Sequence, residues 1–195
     1  LSLHDALPIL KSYYDYIFNI VDKNLSINDG MNELINYCNK KCESDIWNEL
    51  RELDFNEEKE CLIDWIEENL QDSPPEDHID CLYFGLFDGV YDDEETCGLY
   101  LSGAELEEGQ DLEDLELEYK PDDMYANSEI LYKTSKILKK SDNDIKQIGE
   151  YVIYLGYAVL IIKEISKSTY GLFNEINIKK IVIGFDEGDC ISLDL

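Results

Sequence analysis

The sequence predicts an α+β fold, a mostly antiparallel sheet of about four strands packed with several helices in a single domain. Three observations predict it. Apolar residues recur at helical spacing on both sides of a central pair of strand-like segments, the C-terminus reads as a hairpin, and no period of about 20–50 residues repeats. The 195 residues suit one domain. With 44% hydrophobic residues the chain can bury a core, which excludes disorder as its main state.

Leu10, Tyr14, Ile17 and Val21 give a first amphipathic helix over 10–23. Met31, Leu34, Ile35 and Cys38 do the same for a second, with Asn28 or Asp29 as its N-cap. A short helix follows around 46–53. Asn56 caps a helix that runs to Leu70 on an inner face of Cys61, Leu62, Trp65, Ile66 and Leu70, with Glu57 and Glu58 suited to its positive end. Asp72-Ser73-Pro74-Pro75 stops it. Residues 81–87 and 99–102, rich in Leu and aromatics, read as strands with Tyr83 and Tyr100 in the core. Between them lies the acidic loop Asp92-Asp93-Glu94-Glu95. Residues 105–118 read as an irregular loop, because Leu112, Leu115 and Leu117 fix no period. Helices resume over 128–140 and 144–165. The apolar run 151–162 in the second is shorter than the roughly 18–20 residues that span a bilayer. The end is a hairpin of 181–185 and 190–193 about a turn at Asp186-Glu187-Gly188-Asp189.

Formal net charge is −29, and its location says more than its size. Residues 43–123 carry 30 acids and 3 bases, whereas 1–42 carry 5 and 4, and 124–195 carry 10 and 9. An evenly salt-adapted protein would not segregate charge in this way. The pattern predicts an acidic face on an ordinary domain spanning 10–195, with 43–123 as its acidic segment. It also argues against contact with a nucleic-acid backbone or an anionic membrane, both of which would be repelled. Residues 1–9 read as a non-native leader, set apart from the fold. Cys38, Cys42, Cys61, Cys81, Cys97 and Cys190 form no CxxC pair and suit reduced thiols in the cytoplasm.

Catalytic chemistry is poorly supplied. Outside the leader the histidine is His78, in a surface loop, and GxSxG, P-loop and GxGxxG patterns are absent from the sequence. Cys81 and Cys97 neighbour acids, which raises a thiol pKa and weakens the nucleophile. Asp22-x-Asn24-x-Ser26 with Glu33 matches four ligand positions of an EF-hand loop, but Ile27 stands where the sharp turn needs Gly. That segment reads as a connection between helices, and no cofactor is expected.

What remains is interaction chemistry. Acids at Asp92, Asp93, Glu94, Glu95, Glu105, Glu107, Glu108, Asp111, Glu113, Asp114 and Glu116, with Asp186, Glu187 and Asp189 in the last turn, are the candidate partner-binding residues. Tyr91, Tyr119 and Tyr125 are the candidate exposed anchors beside them. The patches Leu82-Tyr83-Phe84-Gly85-Leu86-Phe87-Asp88-Gly89-Val90, Leu99-Tyr100-Leu101-Ser102-Gly103 and Val182-Ile183-Gly184-Phe185-Asp186-Glu187-Gly188-Asp189 resemble acidic bacterial proteins of polymorphic-toxin immunity loci. Those proteins follow the second strand with an acidic loop bearing a Trp, where this chain has Leu115 and Leu117. The resemblance implies a non-enzymatic cytoplasmic inhibitor of a basic protein partner such as a cognate toxin. Two alternatives make different demands. A DNA mimic needs carboxylates ordered in two rows, and a carboxylate- or metal-dependent enzyme needs Asp186 and Asp189 together in a concave pocket.

Overall fold

The computed structural model describes residues 3–107, 109–186 and 188–195. The chain forms α1 (Leu3–Asp22), α2 (Ile27–Lys41), α3 (Ile46–Arg51) and α4 (Lys59–Asp72), then the hairpin β1 (Cys81–Tyr91) and β2 (Glu94–Ala104). After a long connection come β3 (Tyr125–Ala126), α5 (Glu129–Leu138), α6 (Asn143–Gly149), α7 (Leu155–Ser168), α8 (Tyr170–Glu175), β4 (Lys180–Phe185) and β5 (Cys190–Asp194). The fold is α+β, around one open mixed sheet in the order β3-β2-β1-β4-β5. Three of its pairings are antiparallel and β1–β4 is parallel. The count of about four strands therefore becomes five. The addition, β3, is a two-residue pairing with Leu99 and Tyr100, too short to carry an alternation signal.

Helix starts follow the side chains that cap them. Ser26, not Asn28 or Asp29, begins α2, and its Oγ accepts from the Asp29 N–H. Asn56 does not cap α4, which starts three residues later behind Glu58. α1 begins at Leu3, so its first turns come from the stretch that reads as a leader. The segment between α1 and α2 is a four-residue connection, with Asn24 in the left-handed region at φ 52°.

The sheet has two unequal coats. Leu82, Phe84, Leu86, Leu99, Leu101, Ile181 and Ile183 pack with the helices in one large core, which contains Met31, Leu34, Trp47, Ile66, Ile130 and most of α7. α6 and α7 are joined without a break by a π-helical turn at Glu150–Tyr154. The resulting helix, Asn143–Ser168, is long and apolar enough to cross a membrane by length and composition, more than the 151–162 run suggests. In this structure 72% of its most apolar window is buried. It lies close against α2, where a Cβ on Gly156 would collide with Leu34. On the opposite face of the sheet Cys81, Tyr83, Tyr100, Val182 and Cys190 are covered by Phe87, Leu106, Leu112, Leu115, Leu117 and Met124. Most of that second coat is the acidic connection between β2 and β3.

Candidate functional site

Leu106, Leu112, Leu115 and Leu117 of the connection 105–124 lie down on the sheet, while Glu107, Asp111, Glu113, Asp114 and Glu116 between them turn outward. An extended, irregular path lets every second or third side chain reach one surface, which is why the leucines obey no single period. Both ends of this strap are tied. The Asp80 carboxylate accepts from the Leu106 N–H at 2.9 Å and holds Lys179 at 2.9 Å. At the far end the Gly103 N–H donates to the Tyr119 carbonyl at 3.1 Å, and the Leu101 N–H to the Met124 carbonyl at 2.8 Å. Midway, the Asp111 carboxylate caps a single 3-10 turn by accepting from the Glu113 N–H.

On this strap Glu105, Glu107, Asp111, Glu113, Asp114 and Glu116 are exposed. Tyr119 is not exposed as its position suggests. It is 9% accessible, and its hydroxyl donates to the Ser73 carbonyl at 2.8 Å, so it anchors the strap to the end of α4. Tyr125 is the exposed aromatic, at 57%, with its ring 5.2 Å from Phe87. Tyr91 is half-buried, its ring 4.6 Å from Tyr132 of α5.

The acidic loop between the first strands is shorter than its sequence reads. Both strands extend into it, leaving Asp92-Asp93 as a two-residue turn with φ 49° and 62°. Asp92, Asp93, Glu94 and Glu95 are exposed at its tip, with Glu94 3.8 Å from Lys136. In the C-terminal hairpin Asp186 accepts from the Tyr100 hydroxyl at 2.7 Å, and Asp189 from the Tyr151 hydroxyl. Tyr100 reaches Asp186 by lying across Gly85, where a Cβ would strike its ring. The strap meets this hairpin: burial first, then Glu113, Asp111 and Asp189, push the Cys190 thiol up to about 11. Of the candidate residues, Glu108 and Glu187 lie outside the described residues.

A cleft of about 900 Å³ opens where the parallel pair ends, between the β1–β2 hairpin, α5 and the π turn. Asp88, Glu95, Glu150 and Asp186 line it with Lys139 and Lys146. At its floor the Ser135 Oγ lies 2.8 Å from the Tyr154 hydroxyl, and accepts from Thr96 Oγ1 at 2.8 Å and the Cys97 N–H at 3.2 Å. These groups satisfy one another, and none is a base for the serine. Burial, with Asp88 and Glu150 adding to it, raises the Cys97 thiol, which keeps it protonated and a poor nucleophile. Asp186 lines this cleft, whereas Asp189 lies outside its lining and accepts from the Tyr151 hydroxyl. Among the described residues no cluster of three His, Cys, Asp or Glu side chains is placed to hold a metal ion.

Asp88 and Glu150 escape sequence reasoning. The apolar run of the first strand ends at Phe87, and that of the long helix begins at Tyr151. The alternation Phe87-Asp88-Gly89-Val90-Tyr91 is the signal that could have extended the strand. Against protein-family models, curated proteins and solved structures, the chain matches none.

Proposed function

We propose that this chain is a non-enzymatic, cytoplasmic inhibitor of the immunity type that captures a basic partner protein on its acidic surface. One observation carries the reading: the leucines of the strap are spent on covering the sheet, so its acids are held outward along an ordered path. A floppy acidic tail would also attract cations, but it would lose ordering entropy on binding. Carboxylates fixed on a folded surface avoid most of that loss and steer a basic protein toward the face, with encounter rates rising toward ~10⁸–10⁹ per molar per second at low salt. The hydroxyl network in the cleft has no activated nucleophile, which favours binding over turnover.

The test is a search of the source genome for an adjoining gene that encodes a basic protein, followed by stopped-flow association of that protein with this chain. Reversal of Asp111, Glu113 and Glu116 to Lys, or of Asp92, Asp93 and Glu94, is expected to slow association about tenfold or more and to flatten its salt dependence. An unchanged rate and salt slope in both triple variants would sink the acidic-surface mechanism.

A further inference from the structure

β1 runs past its parallel neighbour. The β1–β4 register ends at Leu86 opposite Phe185, whereas β1 stays paired with β2 as far as Tyr91 opposite Glu94. On the β4 side the Leu86 carbonyl accepts from the Asp186 N–H at 2.9 Å. Strand alternation then turns the N–H and C=O groups of Asp88 and Val90 to the same side. There, among the described residues, no strand meets them. Their edge forms one wall of the 900 Å³ cleft, faced by Ser135, Lys139, Lys146, Glu150, Tyr154 and Asp186.

An open strand edge inside a walled cleft is a seat for one more strand. We propose that the cleft takes an extended, Lys- or Arg-bearing segment of the partner, which continues the sheet beside Asp88 and Val90 where β4 has ended. This rests on the reading of the protein as a binder of a basic partner, and names the site and the form of the bound segment. Main-chain bonds to Asp88 and Val90 supply affinity that is indifferent to sequence. Selection for cations comes from Asp88, Glu95 and Asp186 on the cleft walls, since Glu150 is paired with Lys146. The two ammonium groups there are already engaged, Lys139 by the Glu95 carbonyl and Lys146 by Glu150 at 3.5 Å. Val90, 70% exposed, offers an apolar contact to alternate side chains of the incoming strand. A second copy of this chain is a poor occupant, because edge-to-edge pairing would bring Asp88 and the acidic turn against like charges.

Two probes separate pairing from charge: a short peptide of alternating Lys and Val, and the same peptide N-methylated at every amide, which keeps the charge but has no N–H left to donate to the strand edge. Binding to the full chain is read by fluorescence anisotropy at low and high salt. The unmethylated peptide is expected to bind about tenfold more tightly than the methylated one, as two to three main-chain bonds would give. Val90→Pro, which removes an N–H facing the cleft and no bond to β2, should erase that difference, and Asp88→Lys should weaken both probes. Because the probe comparison uses the unaltered protein, it stands even if a variant fails to fold. Equal binding of the two peptides overturns the strand-edge proposal. If that equal binding still weakens with salt, the acidic-surface reading survives; if neither peptide binds in a salt-dependent way, both fall.

Discussion

Glu58 stands in the run Asn56-Glu57-Glu58-Lys59, where the sequence reads as the charged start of a surface helix. Its neighbour Glu57 behaves so, with an ion pair to Lys133 at 2.9 Å. Glu58 instead turns inward, 7% exposed. One carboxylate oxygen accepts from Ser128 Oγ and from the Tyr157 hydroxyl, each at 2.6 Å, and the other from the Ile130 N–H at 3.1 Å. It thereby supplies the negative charge that the start of α5 favours, and links α4, α5 and α7 through one group. Burying a carboxylate is tolerable only when its lone pairs are filled in this way. Removing it would leave three largely buried donors without their acceptor. Glu58→Ala is therefore expected to destabilise the fold by roughly 2–4 kcal/mol, while Glu58→Gln, which keeps an acceptor, should lose less. Urea unfolding checks this. A loss within about 0.5 kcal/mol of wild type for the alanine variant would show that the site relaxes or hydrates.

The hairpin tip shows how an element can be strained and still be the right one. A two-residue connection between twisted strands needs positive φ at both positions, which Asn-Gly supplies easily and Asp-Asp does not. Asp92 and Asp93 adopt those angles, so the acidic residues are retained here against local preference. The double substitution Asp92→Asn with Asp93→Gly is expected to stabilise the protein by about 1 kcal/mol while slowing capture of a basic partner. Thermal unfolding and association kinetics on the same variant test both halves; a variant that is less stable would mean the two carboxylates do more for the turn than its backbone suggests. The same hairpin shows what sequence could reveal. Helix existence was legible wherever an apolar stripe ran for three turns, as in α2, α4 and the long α6–α7 helix, and the strand cores 81–87 and 99–102 were legible from their apolar runs. Strand ends were not, because Asp88 and the acids at 92–95 read as loop chemistry while cross-strand pairing carries them as strand. The parallel β1–β4 pairing was also hidden, since it joins residues about a hundred positions apart and leaves no local period. At the candidate site, the strap acids were legible as a charge run. The cleft was not, because Asp88, Glu150 and Asp186 come from three separate elements.

Across the whole molecule the segregated charge and the buried ionisable groups both cost stability as pH rises, and they separate by their response to salt. The acids of α3, α4, the hairpin and the strap repel one another at neutral pH, a long-range effect whose screening length falls from ~30 Å at 0.01 M to ~8 Å at 0.15 M salt. Salt should therefore raise Tm at pH 7. On the alkaline side the cause is burial. It pushes the Cys81 thiol up to about 12, with Asp80 adding to it. It also raises Cys190 to about 11 and the Tyr119 hydroxyl to about 12. In the unfolded chain these groups ionise near their ordinary values, about 8.5 for Cys and about 10 for Tyr. Between those values and the raised ones the unfolded chain binds fewer protons than the fold, so the stability these groups contribute is full below about pH 8.5 and declines as pH rises toward 12. Surface screening removes only the smaller part that neighbouring carboxylates add, because the largest cause of each shift is desolvation. Thermal unfolding from pH 6 to 11 at low and high salt should thus show a salt-dependent rise in Tm at neutral pH and an alkaline fall that high salt does not remove. An alkaline fall that disappears in high salt would place its origin in the acidic surface instead of in the buried thiols and tyrosine.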